Sequence, residues 1–138
     1  MALGHTAVCV LSADSPTLPT RLLVRAAEIL LIPGERAVLG PAEDGGYYLL
    51  GLKTANPMMF ADIAWSTASV ADETRDRARN LGLPLVELQT WYDVDSAASL
   101  CVLMNETSGY AAPETNGVVD LLGLRRALTE ATFLDAAE

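Results

Sequence analysis

Apolar and polar positions come in blocks along this chain, and the period changes from block to block. Residues 7–11 (Ala-Val-Cys-Val-Leu) are continuously apolar, the pattern of a short strand buried on both faces. Ser12-Ala13-Asp14-Ser15-Pro16 ends that run. From residue 17 to 32, Leu18, Leu22, Ala26 and Leu30 recur every four positions, with Arg21, Arg25 and Glu28 on other faces. That spacing predicts an amphipathic helix, with Pro19 tolerated in its first turn and Pro33-Gly34 stopping it.

Two further apolar runs, near residues 36–39 and 47–52, predict strands on either side of Glu43-Asp44-Gly45-Gly46. An irregular piece with Asn56-Pro57 follows. Ser66 or Thr67 is the expected cap of a helix running to about Leu81, with Trp65 packed beneath its start. In that helix Asp72, Glu73 and Asp76 precede Arg75, Arg77 and Arg79 in the order a helix dipole favours. Residues 83–88 predict a strand, 97–106 a helix, 108–117 a turn-rich linker, and 118–136 an amphipathic helix with Leu121, Leu124, Leu128 and Ala131 on one stripe. Short strands alternating with helices imply an α/β layer structure with a mostly parallel sheet. Length supports a single domain, 1–138, whose C-terminal part, 109–138, is linker and helix.

Charge narrows the ligand. Nine Lys and Arg stand against eighteen Asp and Glu, a net charge of −9, so no face is basic enough to hold nucleic acid by neutralising phosphates. A phosphate ester would be repelled unless a divalent cation bridged it to the acids. No apolar run reaches membrane-spanning length, and residues 1–6 lack the features of a signal peptide. Cys9 and Cys101, far apart in sequence, read as small core residues of a reduced, cytoplasmic protein.

In parallel sheets ligands sit beyond the carboxyl ends of the strands, which places Asp14, Asp44, Asp93 and Asp95 at one edge. Asp14 suits either a turn before a helix or a ligand for Mg²⁺ or Mn²⁺. Asp93 and Asp95 have the alternate spacing of a two-oxygen chelate, and equally that of a solvated acidic turn. The consecutive glycines leave main-chain N–H groups open to a ligand. Trp65 has a secondary reading as a platform for a ring or sugar. His5 is the only histidine and lies near the terminus, which argues against a Ser-His-Asp hydrolase, and the phosphate-loop pattern of nucleotidases is absent.

Taken in order, Ser12-Ala13-Asp14-Ser15-Pro16-Thr17-Leu18-Pro19, Gly40-Pro41-Ala42-Glu43-Asp44-Gly45-Gly46-Tyr47-Tyr48-Leu49-Leu50-Gly51, Trp65-Ser66-Thr67 and Asp93-Val94-Asp95-Ser96 resemble a bacterial glycosyltransferase-like family of the GT-A, nucleotide-diphospho-sugar transferase superfamily. Guanylyltransferases acting on phospholactate are more distant relatives. The resemblance covers about residues 6–100. It implies a three-layer α/β/α sandwich, a nucleotide-sugar donor and a Mg²⁺ or Mn²⁺ ion on its diphosphate. It further implies metal ligation by Asp14, Asp93 and Asp95, an acceptor side built from Gly45, Gly46 and Tyr47 with Trp65, Ser66 and Thr67, and Asp44 as general base. Relatives carry a preceding nucleotide-binding half that this chain lacks, so the fold is expected to be a partial one. The chain is then either a metal-dependent glycosyltransferase or nucleotidyltransferase, or a non-catalytic binding or assembly remnant of the same fold. Residues 7–11 would become an exposed apolar edge, a template for homo-oligomers.

Overall fold

The computed structural model describes residues 4–128. Its centre is a four-stranded sheet of β1 (Val8–Leu11), β2 (Ala37–Pro41), β3 (Tyr47–Leu52) and β4 (Leu85–Glu87), in the order β1-β3-β2-β4. The helices are α1 (Thr20–Leu31), α2 (Val70–Asn80), α3 (Ala97–Asn105) and α4 (Pro113–Leu121), with a 3₁₀ turn at Pro57–Phe60.

The pairing differs from the expected mostly parallel sheet. β3 runs antiparallel to both β1 and β2, and the one parallel pair is β2 with β4. The cause is local: the link from Pro41 to Tyr47 is of hairpin length, whereas a parallel return needs a crossover of a dozen residues or more. β1, β2 and β4 still point the same way, so their carboxyl ends open on one edge.

Each face of the β2–β3 hairpin has its own apolar cluster. Val38 and Leu49 pack with Leu22, Ala26, Ile29 and Leu30 of α1, the predicted stripe joined by Ile29, and with Leu103 and Val119 from α3 and α4. Ala37, Leu39, Leu50 and Leu52 pack with Met59 and with Ala78 of α2. The register shifts at Gly40/Pro41, and the Tyr48 ring lies over Gly40, where any side chain would overlap it. Its hydroxyl donates to the Gln89 carbonyl (2.7 Å), and burial pushes the phenol's pKa up to about 12.

Several helix ends follow from capping chemistry. α3 opens with a capping box in which Ser96 and Ser99 satisfy each other's backbone N–H groups. α2 carries Asp72 and Glu73 in its first turn and Arg77 and Arg79 in its last, as the dipole favours. Arg75 makes a bidentate pair with Glu87 (2.9 and 2.8 Å), fastening α2 to β4.

Four further expectations need correction. α2 begins at Val70 rather than at Ser66 or Thr67, and Trp65 is half exposed instead of packed beneath it. Cys9 is exposed on β1 and not a core residue, because among the described residues β1 is the edge of the sheet and pairs with β3 alone. The linker at 108–117 ends early, since Pro113 starts α4 as a first-turn proline. The stripe at 118–136 is also displaced: α4 ends at Leu121, which is exposed, and Val119 is the residue it buries. Gly123 at φ +66° interrupts the helix, and residues 129–136 lie outside the described residues.

All four residues of β1 are exposed, Val8, Val10 and Leu11 among them, so residues 7–11 are not the strand buried on both faces that their pattern predicts but an exposed apolar edge. No helix among the described residues is long and apolar enough to cross a membrane.

Candidate functional site

At the carboxyl ends of β1, β2 and β4 three loops meet. The first follows β1: Ser12 N–H bonds the Tyr48 carbonyl (2.9 Å), and Asp14 comes two residues later. The second is the hairpin loop, whose Ala42 N–H donates to the Gly46 carbonyl (3.0 Å). The third runs on from β4. There Trp91 N–H donates to the Pro41 carbonyl (3.2 Å), and Glu43 N–H donates to the Trp91 carbonyl (3.1 Å), which extends the β2–β4 pairing past the strand ends. Val94 N–H then donates to the Asp14 carbonyl (2.8 Å). That bond joins the first loop to the third.

Behind this junction lies a buried polar cluster. The Thr17 hydroxyl donates to Tyr92 Oη (2.6 Å) and accepts from Trp91 Nε1–H (3.2 Å). These two bonds fix the segment before α1 against the segment after β4, and pairing offsets the cost of burying the groups. Asp14 and Asp93 are held close as a result. Burial first, and then the charges of Asp44, Asp95 and Asp14, raise the Asp93 pKa above the usual carboxylate value. The Asp95 carboxylate is partly engaged, its Oδ1 accepting from the Ser99 hydroxyl (3.3 Å).

The opposite wall is the 61–69 loop, brought in by Gly45. Gly45 sits at φ +91°, and a methyl group there would overlap the Ala68 carbonyl oxygen. Its own carbonyl accepts from Ala71 N–H (2.8 Å) at the start of α2. Glu73 latches the loop from below: its carboxylate accepts from Ala64 N–H (2.7 Å) and from the Ser69 hydroxyl (2.6 Å). Those two bonds hold the Glu73 carboxyl below its usual pKa, the Ser69 bond more strongly. Arg77 adds a bond to the Ala61 carbonyl (2.6 Å), and Thr67 Oγ1 donates to the Ala64 carbonyl (2.7 Å). Asp62 and Ser66 take positive φ within this loop, which turns Trp65 outward.

Together these loops enclose an open cleft of about 630 Å³ lined by Asp14, Asp44, Gly46, Tyr47, Trp65, Ser66, Thr67, Ala68 and Val70. All the acceptor-side candidates except Gly45 line it, and Gly45 supports it from behind. Asp93 lies close enough to feel the charges of Asp14 and Asp44, yet neither Asp93 nor Asp95 lines the cleft. Among the described residues no three Asp, Glu, His or Cys side chains are gathered closely enough to hold a metal ion by themselves.

The glycine N–H groups differ from expectation. Gly45 N–H donates to the Ala42 carbonyl (3.3 Å), and Gly46 N–H donates to Asp44 Oδ1 (2.7 Å), so both are committed inside the loop. A carboxylate two residues before a backbone donor satisfies it locally, as in any Asx turn. The sequence pattern misses Glu73 and Thr17, which make the site without lining it. Trp91-Tyr92, directly before Asp93, is the one visible signal for the buried cluster.

Residues 1–67 match the family described as an uncharacterized protein conserved in bacteria (DUF2064). Among curated proteins none matches this chain. Among solved structures, the chain is similar to a proposed nucleotide-diphospho-sugar transferase from Desulfovibrio desulfuricans, with 32% identity and a TM-score of 0.72. The similarity covers 86% of this chain and 55% of the other, so this chain spans about half the length of the protein it matches.

Proposed function

We propose that this chain is a metal-dependent glycosyltransferase-like protein that uses a nucleotide-activated sugar as donor. The observation that carries the reading is the convergence of Asp14, Asp44, Tyr47 and Trp65–Thr67, from three separate loops, on one cleft at the carboxyl ends of the strands. A chain 32% identical to a proposed nucleotide-diphospho-sugar transferase supports it. In this reading the sheet with helices on either side is part of a three-layer GT-A sandwich. The free state of both cysteines fits a reducing cytoplasm.

The donor set suits Mg²⁺ or Mn²⁺. Such an ion needs only one or two carboxylates when a diphosphate and water supply its remaining oxygens, so a closed protein cage is unnecessary. Asp14 and Asp93 are the two carboxylates, and Asp95 contributes through the oxygen that Ser99 leaves open. When bound, the cation neutralises charge on the leaving diphosphate. Asp44 is the general base. Gly46 N–H fixes its Oδ1, which leaves Oδ2 to take the proton of an acceptor hydroxyl. Gly45, Gly46 and Tyr47 shape one side of the acceptor space, and Trp65, Ser66 and Thr67 the other.

A second reading, a non-catalytic binding or assembly module of the same fold, is favoured by one observation: among the described residues no Lys or Arg lines the cleft. Titration with Mn²⁺ and then with UDP- and GDP-sugars separates the two. Donor hydrolysis supports the transferase, and metal binding lost in Asp14→Asn with no nucleotide affinity supports the module. In either case the β1 edge favours homo-oligomers by strand pairing. A clean monomer by light scattering at micromolar concentration contradicts that assignment.

A further inference from the structure

The loop before α2 holds three consecutive unspent donors. Among the described residues the main-chain N–H groups of Ser66, Thr67 and Ala68 make no hydrogen bond, and all three residues are exposed and line the cleft. The groups on either side are spent. Trp65 N–H donates to the Ile63 carbonyl (2.9 Å), Val70 N–H to the Thr67 carbonyl (3.4 Å) and Ala71 N–H to the Gly45 carbonyl (2.8 Å). Ser69 N–H donates to Thr67 Oγ1 (3.4 Å). The open donors therefore belong to the loop and not to the start of the helix.

Conformation and side chains add to them. Ser66 stands at φ +63°, and a left-handed residue interrupts the alternation that sends successive N–H groups to opposite sides of an extended chain. Runs of N–H groups turned in this way are the nests in which proteins hold anions. The hydroxyls of Ser66 and Tyr47, on the same lining, have no partner among the described residues. Burial raises the Tyr47 pKa above the usual phenol value, so its hydroxyl stays protonated and able to donate at neutral pH. Glu73 and the Gly45–Ala68 contact hold the loop, which arranges these donors before a ligand arrives. A phosphate group, with several acceptor oxygens on one atom, has the matching demand. Asp14 and Asp44 across the cleft oppose it, and a divalent cation held by the acids offsets that repulsion.

We propose that the N–H groups of Ser66, Thr67 and Ala68, with the Ser66 and Tyr47 hydroxyls, form an oxyanion site that holds a phosphate group of the substrate. The inference rests on the transferase reading for the word substrate, while the site itself follows from the unspent donors. Two sources carry such a group, a phosphorylated acceptor and the donor's own diphosphate.

The test follows the amide resonances of the isotope-labelled full chain during titration with inorganic phosphate, in Mg²⁺ and in EDTA, with chloride at matched ionic strength as the control. Saturable shifts largest at Ser66, Thr67 and Ala68 are expected in Mg²⁺, with affinity about tenfold lower in EDTA, where the acids are left uncompensated. Glucose 6-phosphate should reproduce the phosphate shifts, and methyl glucoside should leave these amides unmoved. Ala68→Pro deletes one donor and should weaken phosphate about tenfold or more, as the loss of a hydrogen bond to a charged group does. If that variant does not fold, the wild-type shifts decide alone. Shifts confined to other amides, equal shifts with chloride or methyl glucoside, or a folded Ala68→Pro chain with undiminished phosphate affinity overturn the proposal. Glucose 6-phosphate that still shifts the three amides under saturating UDP assigns the site to the acceptor, and UDP shifts to which it adds nothing assign it to the donor. Phosphate shifts at 66–68 that are the same in EDTA uphold the site and remove the cation from the transferase reading. Mg²⁺ shifts at Asp14 without phosphate shifts at 66–68 do the reverse.

Discussion

The two walls of the cleft are built on opposite plans. The 61–69 wall is tied from several sides, by Glu73 to Ala64 and Ser69, by Arg77 to Ala61, and by Gly45 pressed on Ala68. On the facing wall the backbone is fixed by the Val94–Asp14 bond and the Thr17–Tyr92–Trp91 cluster, while burial, and after it the neighbouring acids, raise the Asp93 pKa. One wall has stability without unspent charge, and the other holds charge that a ligand or cation can relieve. Shape comes from the first and chemistry from the second. Mutations should separate accordingly.

The largest effect is expected at Gly45. Gly45→Ala combines an unfavourable positive φ with a methyl group driven into the Ala68 carbonyl, for a loss of about 2–5 kcal/mol in denaturant unfolding. A loss below about 0.5 kcal/mol, the range of ordinary surface changes, breaks the idea that this contact joins the loops. On the other wall, Asp14→Asn should leave the unfolding midpoint nearly unchanged or slightly higher, since it removes a like charge beside Asp93. Its effect should appear in cation affinity. A marked drop in stability without metal would place Asp14 in the scaffold instead.

Glu73→Gln is smaller and sharper. It keeps an acceptor oxygen but loses the charge and one acceptor function, so the Trp65 loop should loosen, with weaker ligand binding and faster amide exchange at Ala64 and Ser69. The pH dependence fixes the sign. Because the folded pKa of Glu73 lies below the ordinary carboxyl value of 4.5, its stabilising contribution is fully present above that pH and fades as pH falls through the lower folded value. Asp93 acts in the opposite sense. Its folded pKa is raised, so its ionised form opposes folding at neutral pH, and protonation relieves the strain as pH falls through that raised value towards 3.8. Comparing the acid limbs of Glu73→Gln and Asp93→Asn tests both assignments, and identical limbs would refute them.

Much of this arrangement was readable from residue order. The apolar runs locate all four strands, the four-residue spacing of Leu18, Leu22, Ala26 and Leu30 gives the buried side of α1, and Asp93–Ser96 marks the entry to α3. Seven of the residues expected at the site line the cleft together: Asp14, Asp44, Gly46, Tyr47, Trp65, Ser66 and Thr67. The direction of β3 was also available, because a connection as short as Pro41 to Tyr47 permits only an antiparallel return. The Glu73 latch was not. It depends on Asp62 and Ser66 taking positive φ, a choice that local preference disfavours and tertiary bonds impose. The spent N–H groups of Gly45 and Gly46 were hidden for a similar reason, since their partners are set by the closed form of the loop.

In the proposed transferase the acidic wall binds a nucleotide-sugar through a divalent cation. Calorimetric titration of UDP- and GDP-sugars into the wild-type chain and Asp14→Asn, each with Mn²⁺ and with EDTA, tests it most directly. Binding by the wild-type chain is expected in Mn²⁺ only, weakened about tenfold or more by Asp14→Asn, in line with the loss of a ligating carboxylate. Nucleotide-sugar affinity that is the same in EDTA and untouched by Asp14→Asn would contradict it.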